Sequence, residues 1–329
     1  MADYKTIFSE PTNKWFQKTF KEPTEVQKNA WPAIADGNHT LVSAPTGTGK
    51  TLSAFLYFID HLKLKSREGQ LKEELYLIYV SPLKSLAGDI RENLNKPLKG
   101  ISDQEEQSEI TVAIRTGDTP GRDRQRMIKH PPNILIITPE SLFLMLTSKN
   151  GRNILATARA IILDELHAMI DTKRGAHLML SIARLDKLCQ APLQRIGLSA
   201  TIEPLTLAAE YLAPEPVTIV SPAMEKKVKI LINGAMSTGG SRRKDPVWED
   251  LAKAVYKQCL QSKSVMAFCE ARRFAEKLAN YVNELGGEGF AKVHHGSLAK
   301  EQRLERSRIC GTESCAFCVP LPLWSLALT

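Results

Sequence analysis

The chain has 329 residues, of which 43% are hydrophobic and 24% are charged, and its formal net charge is +8 at pH 7. This length predicts about two domains of ordinary size, and the composition is typical of a globular protein without biased tracts. The sequence contains no apolar run of about 18 residues, and its start, MADYKTIFSE, lacks the apolar core of a signal peptide. We therefore expect a cytoplasmic protein without a membrane partner.

The positive charge is concentrated in residues 223–308, which contain 17 Lys and Arg against 10 Asp and Glu. An excess of this kind weakly favours a polyanionic partner. A solvated basic surface explains it equally well.

The six cysteines fall into two groups. Cys189, Cys259 and Cys269 lie in apolar surroundings, which indicates reduced, buried thiols. Cys310, Cys315 and Cys318 crowd into the last 20 residues, and the final two form a CxxC pair. Because no second pair or histidine cluster accompanies them, we expect no metal cluster.

The first two thirds of the chain alternate between strand-length apolar runs and segments with helical spacing. The apolar runs are residues 40–43, 75–80, 134–138, 160–163 and 195–199. Apolar runs without polar alternation indicate strands that are buried on both faces of a parallel sheet. The pattern predicts a doubly wound α/β domain over residues 1–213.

A second α/β unit follows a proline-rich boundary at Ala213-Pro214-Glu215-Pro216. We expect a linker over residues 214–222, although residues 217–231 have strand-like character. The alternation that follows predicts a helix over 247–261, a strand over 264–269 and a helix over 271–285. Strand-like and helical segments extend this second, incomplete domain over residues 223–306.

A glycine-rich turn lies between the first predicted strand and a helix. It comprises Ala44, Pro45, Thr46, Gly47, Thr48, Gly49, Lys50 and Thr51. Glycines allow backbone amides to turn toward phosphate oxygens, and the helix N-terminus favours negative charge. Lys50 would reach the β and γ phosphates, and the Thr51 hydroxyl would bind Mg²⁺. Ala44 replaces the first glycine of the general pattern, and a chance glycine-rich turn is the alternative.

Two further polar segments come directly after buried strands. Asp164 and Glu165 follow AIIL, where Asp164 would complete the Mg²⁺ shell and Glu165 would deprotonate the attacking water. By itself, such a pair could also cap a helix. Ser199 and Thr201 could connect the nucleotide site to a neighbouring domain, or cap the next helix.

These segments belong to an ordered series. It includes Phe20 with PTEVQ at 23–27, the glycine-rich turn, SPLKSL at 81–86, RTGD at 115–118, TPESL at 138–142, DELH at 164–167 and SAT at 199–201. The series resembles the first motor domain of superfamily 2 helicases of the DEAD/DEAH type. RTGDTPGRDR, DELHAMIDTKRGAHL and HHGSLAKEQR are most similar to the large helicase-related (Lhr) family. The resemblance covers about residues 8–306 and implies tandem RecA-like domains, the second of which is incomplete.

The resemblance also implies roles for single residues. Gln27 would bind the adenine edge of ATP, and His167, Ser199 and Thr201 would couple the nucleotide site to movement. Nucleic-acid contacts would come from Ser81, Pro82, Leu83, Lys84, Arg115, Thr116, Gly117, Thr138, Pro139, Glu140 and Ser141. Hydroxyls and amides at strand ends suit phosphate oxygens, and such contacts do not depend on base sequence.

The expected activity is ATP hydrolysis with Mg²⁺, coupled to strand separation of single-stranded or partly duplex nucleic acid. The residues leave DNA and RNA both open, and we expect DNA. The alternative is a chain that binds ATP and nucleic acid with little turnover, because a late arginine block of the form QxxGRxGR is missing.

Residues 307–329 depart from the α/β pattern. Codons that encode Val319 to Thr329, regrouped by one base with the last base of the Cys318 codon, can spell CATSSLELGID, which resembles a later block of the same family. We therefore expect an aberrant tail produced by a frameshift, with the CxxC pair as its by-product.

Overall fold

The computed structural model describes residues 4–82, 86–101, 109–222, 246–262, 264–293 and 315–320. The chain divides into two compact units, within residues 1–225 and 226–328. No helix among the described residues is long and apolar enough to cross a membrane. In the same ranges, no three His, Cys, Asp or Glu side chains are grouped as ligands for a metal ion.

The first unit is built on a parallel sheet of seven strands in the order β3-β4-β2-β5-β6-β1-β7. Its strands are β1 (His39–Ser43), β2 (Leu77–Val80), β3 (Val112–Arg115), β4 (Ile134–Ile137), β5 (Ala160–Leu163), β6 (Gln194–Ser199) and β7 (Val217–Val220). The central strands β2, β4 and β5 are buried along their whole length. The predicted parallel α/β fold is confirmed.

Helices cover both faces of this sheet. They are α1 (Glu10–Phe20), α2 (Glu25–Ala35), α3 (Lys50–Arg67), α4 (Leu86–Gly100), α5 (Gly121–Lys129), α6 (Pro139–Thr147), α7 (Lys149–Leu155), α8 (Lys173–Leu188) and α9 (Leu205–Leu212), with 3-10 turns at Tyr4–Thr6 and Leu166–Ala168. Helices α1 to α4 contribute to one core cluster and α5 to α9 to the other. Ile134 and Ile136 of β4 belong to the first cluster, and Leu135 and Ile137 to the second, because successive strand residues point to opposite faces.

One strand of this sheet was not expected, and another overlaps the expected linker. Strand β3 was missed because its apolar run is only three residues long, ends at Arg115 and is half buried in the structure. Residues 217–220, which have strand-like character in the sequence and overlap the expected linker, form the edge strand β7, which pairs with β1. The prolines at 214 and 216 therefore precede the last strand of the first sheet.

The second unit contains a three-stranded parallel sheet in the order β8-β10-β9. Its elements are α10 (Pro246–Gln261), β8 (Ser264–Cys269), α11 (Arg272–Gly286), β9 (Ala291–Val293) and β10 (Cys315–Pro320). The helix, strand and helix expected over 247–285 are present. Strand β10 lies within the tail expected to be aberrant, and its apolar run pairs with β8 and β9. Residues 294–314 and 321–329, which include the end of the expected second domain and most of the tail, lie outside the described residues.

Candidate nucleotide site and nucleic-acid interface

The strand order sorts the polar segments into two neighbouring groups at the carboxyl edge of the first sheet. Strands β5, β6 and β1 are adjacent and lead into DELH, SAT and the glycine-rich turn. Strands β3, β4 and β2 are adjacent and lead into RTGD, TPES and SPLK. The groups meet where Val80 of β2 pairs with Leu163 of β5. Ligands of open α/β sheets bind at this edge.

The glycine-rich turn connects Ser43, the last residue of β1, to Lys50, the first residue of α3. Gly47 and Gly49 have φ angles of +80° and +85°, a region that favours glycine. A Cβ atom on Gly49 would lie 2.6 Å from Nε2 of Gln27. The turn therefore forms a concave backbone loop against the Gln27 side chain, as a phosphate-binding loop requires.

Helix α2 holds Gln27 in place through its N-terminus. The Thr24 N–H donates to Oε1 of Gln27 (3.0 Å), and the Gln27 N–H donates to Oγ1 of Thr24 (3.3 Å). This is a capping box. The Thr24 hydroxyl also donates to the carbonyl of Thr48 (2.9 Å), which ties α2 to the turn. This role of Thr24 was not predicted, although the Thr-x-x-Gln spacing carries the signal.

Lys50 lies between the ends of β1 and β6. Its ammonium donates to the carbonyl oxygens of Ala44 (2.5 Å) and Ser199 (2.9 Å). The charge is thereby placed directly beside the concave loop.

Asp164 is held at both carboxylate oxygens. Oδ1 accepts a hydrogen bond from the backbone N–H of Glu165 (2.9 Å), and Oδ2 accepts one from the hydroxyl of Tyr79. Burial raises the pKa of Asp164, and the bonds from Tyr79 and Glu165 and the charge of Lys50 oppose that rise. An oriented carboxylate close to a cationic loop suits a hard, oxygen-seeking ion such as Mg²⁺.

Glu165 and His167 lie together beside the end of β6. Glu165 adopts the left-handed backbone region (φ +50°), and its Oε2 lies 3.4 Å from Nε2 of His167. Nδ1 of His167 accepts from the backbone N–H of Ala200 (3.1 Å) and lies 3.3 Å from the Ser199 hydroxyl. Burial, and then the charge of Lys50, lower the pKa of His167. The structure thus brings His167 and Ser199 together, whereas Thr201 is exposed two residues further along.

The neighbouring half of the edge contains the residues expected to contact nucleic acid. Ser81 and Pro82 are buried, and the Ser81 N–H donates to the carbonyl of Ile137 (2.9 Å). The Thr138 hydroxyl donates to Oγ of Ser141 (3.0 Å) at the start of α6, where Pro139 occupies the first turn. Leu83 and Lys84 lie outside the described residues.

Glu140, in the first turn of α6, forms an ion pair with Arg174 of α8. The Arg174 guanidinium donates to both of its oxygens, at 2.6 and 3.1 Å. Although burial opposes the shift, the bonds from Arg174 hold the pKa of Glu140 below its ordinary value. The carboxylate of Glu140 is therefore already engaged by a cation in this structure.

Arg115 ends β3 with its guanidinium partly buried. Within the described part of the chain, its Nη1 is a buried donor without a hydrogen-bond partner. Burial lowers its pKa, and the charge of Arg124 adds to that effect. Arg124 itself donates to the carbonyls of Gly117 and Thr119, both at 2.8 Å, and the Thr116 N–H donates to Oγ1 of Thr119 at the same distance. The guanidinium groups of Arg115 at the end of β3 and of Arg124 in α5 together favour an anionic ligand.

The fold and this edge define a RecA-like motor domain followed by a second α/β unit. The family model of DEAD/DEAH box helicases matches residues 24–208. The chain belongs to this family.

Similar proteins refine that placement. The Lhr helicase/probable uracil glycosylase of Mycolicibacterium smegmatis is 40% identical over 343 residues, covering 92% of this chain and 23% of that protein. The ATP-dependent helicase Lhr-Core of Methanocaldococcus jannaschii is 39% identical over 306 residues, covering 91% of this chain and 36% of that protein. The resemblance to the large helicase-related family is confirmed.

Solved structures agree with the fold. The Mycobacterium smegmatis helicase Lhr bound to ssDNA and AMP-PNP superposes with a TM-score of 0.83 at 40% identity, over 97% of this chain and 42% of that chain. The DUF1998 helicase MrfA bound to DNA and AMPPNP has a TM-score of 0.77 at 18% identity, which supports the fold alone. The chain spans between 23% and 42% of the Lhr relatives described here.

Proposed function

We propose that this chain binds ATP at the carboxyl edge of β5, β6 and β1 and couples its hydrolysis to movement along DNA. The observation that carries the proposal is the convergence of Lys50, Asp164, Glu165 and His167 beside one concave loop, next to the strand ends of the nucleic-acid half. The DNA-bound and AMP-PNP-bound Lhr structure supports this choice of ligands.

The residues of the nucleotide half have distinct tasks in this proposal. The amides of the turn and the Lys50 ammonium bind the phosphates, and the Gln27 amide binds the adenine edge. Thr51 and Asp164 would hold Mg²⁺, which supplies charge neutralisation for the phosphates when bound. Gly49 allows the loop to lie directly against Gln27, because a side chain at this position would collide with Gln27.

Glu165 is the proposed base that accepts a proton from the attacking water. His167 orients it: a neutral ring whose Nδ1 accepts from Ala200 carries its proton on Nε2, which faces the Glu165 carboxylate. Ser199 accepts a hydrogen bond from Lys50 at its carbonyl oxygen, and its hydroxyl lies near His167. Thr201 completes the proposed coupling segment from its exposed position.

The nucleic-acid half supplies backbone contacts to the DNA strand. Ser81 to Lys84 and Thr138 to Ser141 would approach phosphates with amides and hydroxyls, and Glu140 would orient Arg174. Arg115, with Thr116 and Gly117 on the same turn, supplies the charge-assisted contact. We also place this activity in the cytoplasm, where cysteines such as Cys189 and Cys269 stay reduced.

The second candidate is a chain that binds ATP and DNA with little turnover. It is favoured by the fact that the groups expected to bind the nucleotide, the glycine-rich turn, Lys50 and Asp164, are assembled within the first unit by itself. An arginine from another domain contributes about 10³–10⁵ in rate in related phosphoryl-transfer enzymes.

Lys50→Ala and Glu165→Gln test the assignment in parallel. Lys50→Ala removes a charge beside the loop and should abolish binding of a fluorescent ATP analogue. Glu165→Gln should bind the analogue normally, while DNA-stimulated ATPase activity drops by about 10²–10⁴-fold, the usual contribution of a general base.

The exposed residue Glu210 provides the control, as Glu210→Gln should change neither measurement. Equal loss of nucleotide affinity in the Lys50 and Glu165 variants would contradict the assignment. Normal analogue binding by the wild type without measurable ATPase activity would favour the second candidate.

A further inference from the structure

Tyr79 is a fully buried residue of β2 that no motif singled out. Its hydroxyl donates a hydrogen bond to Oδ2 of Asp164, 85 positions later in the chain. Its ring stacks on Phe55 of α3, with centroids 4.7 Å apart and an interplanar angle of 19°. Tyr79 therefore contacts both the helix that begins at Lys50 and the carboxylate that follows β5.

The bond from Tyr79 completes the restraint on Asp164. The Glu165 N–H already occupies Oδ1, so the two bonds together fix the rotation of the carboxylate plane. Each oxygen accepts more than one hydrogen bond, which leaves acceptor capacity for a ligand. Groups that orient a metal-binding carboxylate influence affinity although they do not touch the metal.

Strand β2 also connects Tyr79 to the residues that are expected to contact nucleic acid. Two residues after Tyr79, Ser81 begins the segment expected to contact nucleic acid, and its N–H is held by the carbonyl of Ile137 in β4. The backbone of Ser81 is therefore continuous with the strand that carries the Tyr79 hydroxyl.

We propose that Tyr79 is a positioning residue that fixes the Asp164 carboxylate for Mg²⁺-dependent nucleotide binding and links it to the nucleic-acid segment after β2. The proposal rests on the role of Asp164 in the proposed function. A buried tyrosine with a purely structural role would need only packing and any hydrogen-bond acceptor. The two roles differ in what removal of the hydroxyl does to Mg²⁺ dependence.

Tyr79→Phe removes the hydroxyl and keeps the ring on Phe55. The test titrates Mg²⁺ at a fixed, subsaturating concentration of a fluorescent ATP analogue and measures the Mg²⁺ concentration at half-maximal binding. We expect this midpoint to rise by about 10-fold, as for other groups that orient metal-binding residues. Tyr76→Phe is the matched control, because its hydroxyl accepts from the Lys72 N–H just before the same strand and does not contact Asp164.

The Asp164→Asn background shows whether Tyr79 acts through Asp164. Adding Tyr79→Phe to Asp164→Asn should produce no further rise in the Mg²⁺ midpoint. A second measurement adds single-stranded DNA to the full chain, where Tyr79→Phe should reduce the DNA-induced change in analogue affinity and Tyr76→Phe should not.

An unchanged Mg²⁺ midpoint in folded Tyr79→Phe, or equal shifts in Tyr79→Phe and Tyr76→Phe, would overturn the proposal. If Tyr79→Phe does not fold, Phe55→Leu decides, because it keeps the hydroxyl but removes the ring beneath it. That variant should raise the midpoint in the same direction, and an unchanged midpoint would again overturn the proposal. Failure of the wild type to bind the analogue in a Mg²⁺-dependent manner would instead refute the proposed function.

Discussion

His167 accepts a hydrogen bond at Nδ1 from the backbone N–H of Ala200, across 3.1 Å. This bond joins the turn after β5 to the end of β6 and directs Nε2 toward Glu165, 3.4 Å away. A protonated ring would lose it, because both nitrogens of an imidazolium are donors. The geometry therefore requires a neutral His167.

This requirement predicts a pH-dependent contribution of His167 to stability. Its pKa in the folded protein is lowered from the ordinary value of 6.5, first by burial and then by Lys50. The unfolded chain therefore takes up the proton first as the pH falls. The contribution is intact above about pH 6.5 and declines as the pH falls toward the folded pKa.

Denaturant unfolding of the wild type and His167→Gln measures this contribution. The difference between their free energies of unfolding should shrink as the pH falls from about 7.5 to about 5. His39 and His61 also have lowered pKa values, but they remain in both proteins and cancel in the difference. A difference that stays constant over this range would contradict the prediction.

Gly175 should be intolerant of any side chain. It lies in the first turn of α8, where an added Cβ would come within 1.9 Å of the Met169 carbonyl oxygen and 2.5 Å of the Tyr211 hydroxyl. Gly175→Ala should lower the free energy of unfolding by about 1–3 kcal/mol, the usual cost of overpacking. Urea denaturation with an unchanged m-value measures it.

Gly121→Ala is the control for that substitution. Gly121 begins α5, and an added Cβ there meets nothing within 4 Å. Alanine is favoured over glycine in helices by about 0.5–1 kcal/mol, so this variant should be neutral or more stable. Equal changes in the free energy of unfolding for Gly121→Ala and Gly175→Ala would show that the close approach of Gly175 to Met169 does not affect stability.

Arg115 should contribute one phosphate contact to DNA binding. Each phosphate contact to a single strand contributes about 0.7 to the slope of log K against log salt concentration. Arg115→Ala should weaken binding of single-stranded DNA for all sequences and reduce that slope by about 0.7. Fluorescence anisotropy at several salt concentrations provides the measurement.

Arg159→Ala is the matched control, because Arg159 is exposed and precedes β5 at the opposite edge of the sheet. It should leave both the affinity and the slope unchanged. Similar effects of the Arg115 and Arg159 variants would indicate general charge attraction in place of a defined contact.

The tail after about residue 306 is open to a direct test at the level of the gene. We propose that its codons, read one base earlier, encode CATSSLELGID over the stretch that now gives Val319 to Thr329. Sequencing the gene on independent templates measures this, and a neighbouring frame without that block would refute it.

Features that depend on near neighbours were predictable from the sequence alone. The glycine-rich turn, the apolar runs of β1, β4, β5 and β6 and the helices of the second unit could be predicted, because burial and turn chemistry are written within a few residues. Thr24 was also readable from its spacing to Gln27. Strand β3 was not, because at the outer edge of the sheet its apolar run is only three residues long and ends at Arg115.

Which strands lie side by side could not be predicted from local patterns. Any buried parallel strand can pair with any other, and the order is fixed by how the connecting helices pack on the two faces. That order places β6 beside β1, so the Ser199 carbonyl reaches Lys50 across 149 positions. It also places β2 beside β5, so the Tyr79 hydroxyl reaches Asp164. Contacts between residues so far apart in the chain have no local pattern, which is why motifs gave the loop and the carboxylates but not the groups that orient them.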